Sequence, residues 1–312
     1  MATRVLITVD TELVWRHHEG GLSWEENFAR SYEAAGVGVP YQLRLLAEHS
    51  LKACFFVDPM PALVHGLEPV RRMVEPILAA GQEVQLHLHP FWARSGEAFR
   101  ELNQYDAVEQ QALIEQARDL LVAAGAPQPI AFRAGSYAAN ADTLSALAAL
   151  GIRYDASHNG CEHLSDVPMD AAQLAPAEIE GVVEVPVGQI EHQPGKLRHL
   201  QLCAVSFAEM RAALGHAVRE RHPLAGIVTH SFELARRDGL APNGLAVSRF
   251  KRLCRYLADH RETMPTAHFA DLGDLPLGGE ARPFRSPRLL TFGRMAEQAW
   301  GNARYERVRH VG

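Results

Sequence analysis

The sequence lacks several things at once, and each absence narrows what the chain can be. Only four cysteines stand among 312 residues, Cys54, Cys161, Cys203 and Cys254, and none forms a C-x-x-C pair. That excludes a disulfide-stapled scaffold, a zinc ribbon and a dithiol redox motif, and reduced thiols in a cytoplasmic protein are the simplest account. There is no surplus of positive charge: 31 Lys and Arg face 37 Asp and Glu, for a net charge of −6. Nucleic acid is therefore not an expected partner. No run approaches the ~18 apolar residues that span a bilayer. The N-terminal run Val5-Leu6-Ile7-Thr8-Val9 is cut off by Asp10, too soon for the central region of a signal peptide. Internal repeats and low-complexity segments are also missing.

What is present is an ordinary globular composition, 47% hydrophobic and 22% charged, in a chain long enough for one large α/β domain. Short apolar runs suited to buried strands alternate with helical patterns. The strands are expected at Val5–Val9, Ala53–Val57, Gly81–His89, Ile130–Phe132, Ile152–Asp155, Val182–Val187 and Gly226–His230, with a last one at Thr266–Phe269. Between them, helical patterns cover Tyr41–His49, Val70–Ala80, Asp106–Ala124, the stretch capped by Asn140, Phe207–Arg221 and Ser248–His260. Residues 15–24 and 160–180 read as loops. Such alternation predicts a parallel sheet wrapped by helices: an α/β fold, an irregular (β/α) barrel of seven or eight strands over residues 1–275. Residues 276–312 change character, with seven Arg against three Glu and three prolines. They read as a basic C-terminal tail that wraps the surface or is partly disordered.

The stretch around which the rest is organised is Gln85-Leu86-His87-Leu88-His89-Pro90. Side chains alternate across a strand, so His87 and His89 share a face. The first strand ends in a matching pair at i, i+2, Asp10 and Glu12. Other strand ends supply Arg133, Asp155 and His230. A parallel barrel gathers its chemistry at this rim, and two histidines with one carboxylate form a catalytic zinc set that leaves a position open for water. A second carboxylate beside it can act as a base. His17, His18, Trp92, Tyr137 and Phe232 are further rim candidates, although such residues more often pack or face solvent.

In order and in character these motifs resemble those of the polysaccharide deacetylases, the carbohydrate esterase family 4 with its NodB-homology domain. The residues that carry the resemblance are Thr8-Val9-Asp10-Thr11-Glu12, His87-Leu88-His89, Phe132-Arg133-Ala134-Gly135-Ser136-Tyr137, Tyr154-Asp155 and Val228-Thr229-His230. Within the family the chain looks closest to the WalW-type branch associated with lipopolysaccharide biosynthesis. The resemblance implies a NodB-like barrel and metal-assisted removal of an N-acetyl or similar acyl group from an envelope polysaccharide or its precursor. It makes Asp10 the base, Arg133 the group that holds Asp10 ionised, Asp155 a partner of Arg133, and His230 the acid that protonates the leaving amine. Ser136 and Tyr137 would line the oxyanion and substrate side, with Trp92 as a sugar-binding wall. Thr11 stands where the family has its metal-binding acid, and Phe91 stands where its second histidine is expected. Glu12, His87 and His89 are therefore the metal ligands the resemblance implies, for Zn2+ first, with Co2+, Mn2+ or Fe2+ accepted by the same donors. The altered motifs keep two alternatives open, a metal-free allantoinase-like amidohydrolase and a catalytically inactive carbohydrate-binding domain.

Overall fold

The computed structural model describes residues 2–93 and 100–306. Eleven strands occur among them. In chain order they are β1 (Arg4–Thr11), β2 (Cys54–Val57), β3 (Glu83–Leu88), β4 (Ala131–Ala134), β5 (Tyr154–Asp155), β6 (Ala177–Ile179), β7 (Val182–Glu184), β8 (Gln189–Gln193), β9 (Lys196–His199), β10 (Leu224–His230) and β11 (Phe284–Arg285). Interleaved helices are α1 (Trp15–Glu19), α2 (Trp24–Ser31), α3 (Val39–Glu48), α4 (Ala62–His65), α5 (Glu68–Ala79), α6 (Ala107–Ala123), α7 (Ala141–Ala149), α8 (Phe207–Arg219), α9 (Gly244–Asp259) and α10 (Arg288–Gly301).

One sheet of eight strands runs β10-β1-β2-β3-β4-β5-β7-β6, and a smaller one runs β11-β8-β9. All pairings from β10 through β7 are parallel, and only β6 is antiparallel to its neighbour. The sheet curls into a half-barrel with helices outside, and its two edge strands do not pair with each other among the described residues.

β1 lies between β10 and β2, and its Val5, Leu6, Ile7 and Val9 are shielded from water. A strand covered on both faces is mostly apolar; buried Thr8 is accommodated by donating its hydroxyl to the Ile227 carbonyl at 3.0 Å, and Asp10 stands near the strand end at the rim. Helix starts follow the sequence chemistry. Asp106 and Glu109 form a capping box at α6, and Ser206 and Glu209 form another at α8. Gly81, at φ 68°, takes the left-handed turn that closes α5 and feeds β3.

Several expectations are corrected. Residues 15–24, read as a loop, contain α1 and the start of α2, whose Ser23–Glu26 capping box is complete. Thr266–Phe269 is not a strand: a single bridge, Val5 to Thr266, is followed by a 3-10 turn. The hairpin β8–β9 has no counterpart among the expected strands, and β6 falls inside residues 160–180, whose pattern predicts a loop. The C-terminal segment carries a helix with inverted polarity. Its inward face holds Thr291 and Arg294, with Arg294 paired to buried Glu209 at 3.3 Å, while Leu289, Phe292, Met295 and Trp300 face out. An apolar stripe pointing away from the core gives no ordinary signal of a docked helix. Residues 307–312 of that segment lie outside the described residues.

Candidate active site

The carboxyl ends of the parallel strands bring Asp10, Glu12, His87, His89, Arg133 and His230 together. Register accounts for it: Asp10 is level with His230 on β10, and His87 with Arg133 on β4. Glu12 and His89 each lie one residue past their strand end.

The Arg133 guanidinium is the centre of the polar network. Its Nη1 donates to Asp10 Oδ1 at 2.6 Å and to Thr8 Oγ1 at 3.0 Å, and its Nε donates to the Ala156 carbonyl at 3.0 Å. The plane rests 4.4 Å over the Phe56 ring. Both members of the Arg133–Asp10 pair are sealed from water. Burial alone would raise the Asp10 carboxyl. Arg133, then His87 and His230, outweigh it and hold Asp10 below its ordinary value.

Glu12, His87 and His89 each offer one ligand atom, all within 4.8 Å of one another. His87 Nδ1 lies 2.7 Å from the Arg133 carbonyl, which fixes Nδ1 as the N–H donor and leaves Nε2 with a free lone pair. Burial pushes that ring down to about 4, so it is neutral and able to ligate. His89 Nε2 meets Glu12 Oε2 at 2.7 Å. Burial works against both charges, yet each raises the other's ionised fraction, with His89 up at about 9 and Glu12 down at about 2. The opposite nitrogen, His89 Nδ1, is buried with no hydrogen-bond partner. On that side the ring lies flat against Gly135, where a Cβ would sit 2.3 Å from His89 Nδ1. Two neutralisable imidazoles and one carboxylate, converging, with the Arg133 carbonyl orienting the His87 ring, suit a divalent cation such as zinc.

His230 stands across from Asp10, Nε2 to Oδ2 3.9 Å. Its Nδ1 is 3.2 Å from Glu233 Oε2, and Glu233 is held in turn by Gln201 Nε2 at 3.0 Å and by the Cys203 backbone N–H. Against burial, which favours the neutral ring, Glu233 and Asp10 raise His230 to about 9.

Asp155 does not pair with Arg133 as expected. It is fully buried, accepts from Ser157 Oγ at 2.7 Å, and shares a hydrogen bond with Glu184. Burial raises both carboxyls, Glu184 the further, because Asp155 adds like-charge repulsion. The reason is register: Asp155 is level with Glu184 on β7.

Ser136 and Tyr137 both adopt the left-handed region, φ 54° and 57°, an arrangement whose strain is concentrated at functional sites. Ser136 Oγ donates to Glu101 at 3.0 Å, and the buried Tyr137 hydroxyl has no partner. Trp92 is 2% exposed, packed among Trp15, His18, His65 and Phe91 in an aromatic cluster that abuts His89 through Phe91. Sequence reasoning missed Glu184, Glu233 and Asp58. The last is a buried carboxyl that burial lifts to about 7 beside His89 and Glu12. Glu233, three residues after His230 in a turn, carried the one local signal available.

No protein-family model matches the chain. Among curated proteins, a peptidoglycan deacetylase-like protein of Gibberella zeae is 26% identical over 165 residues, which is 50% of this chain and 44% of that protein. The chain thus spans less than half the length of the curated relative it matches. Among solved structures, a Mycobacterium smegmatis protein provisionally designated a polysaccharide deacetylase superposes with a TM-score of 0.53 at 17% identity, covering 91% of this chain and 96% of that one. A 4-α-glucanotransferase of Thermococcus litoralis gives 0.55 at 13% identity, covering 89% of this chain and 43% of that one. The half-barrel is the NodB-like (β/α) barrel fold. Since a glycosyl-transferring enzyme shares it, the activity has to be argued from the site.

Proposed function

We propose that the protein is a metal-dependent hydrolase that removes an N-acetyl or similar acyl group from a sugar of an envelope polysaccharide or its precursor. The observation that carries the reading is the convergence of Glu12, His87 and His89 beside an Asp10 held ionised by Arg133. The deacetylase designations of the Gibberella and Mycobacterium proteins support the same chemistry. Membership of carbohydrate esterase family 4, and of its WalW-type branch, rests on the motif order in the sequence. Residues 1–275 would form the catalytic unit and 276–312 an appended basic segment. No helix among the described residues is long and apolar enough to cross a membrane, and action on precursors in the cytoplasm remains part of the proposal.

A divalent cation, when bound by Glu12, His87 and His89, supplies Lewis acidity to a carbonyl and to water. Asp10, an acceptor at neutral pH, takes the proton of the attacking water. Arg133 keeps it charged and aimed. His230, an imidazolium at neutral pH, gives its Nε2 proton to the departing amine, while Glu233 fixes Nδ1 as the second donor. The test is acetate release from acetylated sugar oligomers. Chelation should abolish it, Zn2+ or Co2+ should restore it, and Asp10→Asn should lower turnover by ~10²–10⁴. An Asp10→Asn variant as active as wild type would end the assignment of Asp10 as base.

A second reading, a metal-free amidohydrolase, is favoured by one contact. The 2.7 Å His89–Glu12 ion pair already satisfies both charges with no cation. Activity that survives exhaustive chelation would select it.

A further inference from the structure

A second group of metal-type donors shares no residue with the strand-end set. Cys161 and Glu162 follow one another in a turn, and His199 ends β9. Their ligand atoms lie within 4.8 Å of one another. His199 Nδ1 is 3.3 Å from Glu162 Oε1 and 3.3 Å from Asn159 Nδ2, and the Cys161 thiol donates to Asn159 Oδ1 at 3.0 Å. The turn is held firmly. Glu162 N–H donates to the Asn159 carbonyl at 2.9 Å, and Asn159 N–H donates to Ser165 Oγ at 2.9 Å. Gly160 allows close packing, since a Cβ there would sit 1.9 Å from the Ala171 carbonyl. His199 is carried on a strand paired to β8. The donors are thus supplied by two braced elements. All three are partly accessible, so a cation has a way in.

We infer that Cys161, Glu162 and His199 form a second cation site, for a thiophilic divalent ion of the zinc class. One thiolate, one imidazole and one carboxylate are donors that zinc accepts together, and calcium and magnesium do not. Donors around tetrahedral zinc are separated by about 3.3–3.8 Å. The His199–Glu162 distance of 3.3 Å already falls in that range. Binding releases the thiol proton to solvent and replaces the Asn159 contacts of Cys161 and His199. Three protein ligands leave a coordination position open. The site lies next to the strand-end site, with the His199 ring 6.4 Å from that of Tyr137.

The experiment is a Co2+ titration of chelator-stripped full-length protein, read by the near-ultraviolet thiolate-to-cobalt charge-transfer band. The strand-end donors hold no thiolate, so the band reports this site alone and stands or falls apart from the proposed hydrolase. Wild type and Cys203→Ser should develop the band, and Cys161→Ser and His199→Ala should not. Cys161→Ser should also bind one Co2+ fewer per chain. A Glu12→Gln, His87→Gln double variant should keep the band. A second measurement needs no variant: Zn2+ should slow alkylation of Cys161 several-fold, mapped by peptide mass spectrometry. No band at saturating Co2+, a band that survives Cys161→Ser, or alkylation of Cys161 unaffected by Zn2+ would each overturn the site.

Discussion

Arg133 Nη1 lies 2.6 Å from Asp10 Oδ1, and the two side chains are 3% and 4% exposed. A charge pair this deeply buried is strongly destabilised when one partner is removed, by about 3–5 kcal/mol, because the survivor is left uncompensated. Asp10→Asn and Arg133→Met should each lose stability on that scale in urea denaturation, and the double variant should lose less than the sum. The pH dependence has a definite sign. Asp10 is lowered from 3.8, so its contribution is complete above that value and fades as pH falls through the lower folded one.

The His230–Glu233 contact sets the alkaline edge of activity. His230 is held at about 9, and a proton donor must be protonated in the free enzyme. The kcat/KM profile should therefore fall as pH rises through about 9. Glu233→Gln removes one carboxylate and leaves burial opposed by Asp10 and Glu12, so the alkaline limb should move to lower pH. An unmoved limb would mean that another group is the acid.

Gly135 matters for what it lacks. Its φ is ordinary, but a Cβ would come within 2.3–2.7 Å of three His89 ring atoms. Gly135→Ala should therefore push His89 out of line. The expected result is a large loss of metal affinity by elemental analysis and calorimetry, with little change in circular dichroism.

The Asp155–Glu184 pair offers an isosteric test. Glu184 is raised well above 4.5, so folding keeps it protonated, and an amide imitates that form. Glu184→Gln should alter stability at pH 5 by less than about 1 kcal/mol. The wild-type contribution is complete below 4.5 and is lost as pH rises through the raised folded value. The variant should accordingly lose less stability than wild type as pH is raised above 4.5, as read by thermal unfolding.

Much of the barrel was legible because burial on both faces demands mostly apolar runs, as in Val5–Val9, where Thr8 is the one polar residue, and Cys54–Val57. Most helices showed through their own periodicity, through a cap such as Asn140 and through closing glycines such as Gly81. α10 did not, because ion pairs hold it in place, its Arg294 with Glu209 of α8 and its Glu297 with Arg249 of α9. Its apolar residues point outward, contrary to the pattern that marks a docked helix. The hairpin β8–β9 escaped for a different reason, since it is mostly polar and half-exposed, with only Gln189 and Ile190 buried, too few to impose an alternation.

At the site, local spacing fixed which side chains share a face: Asp10 with Glu12, and His87 with His89. It also fixed which strands end in chemistry. Partnership across the sheet was another matter. Parallel register is set by the packing of whole strands and not by neighbours in the chain. Only the folded structure could therefore give Arg133 to Asp10, turn Asp155 toward Glu184, put Glu233 behind His230, and press Gly135 against His89.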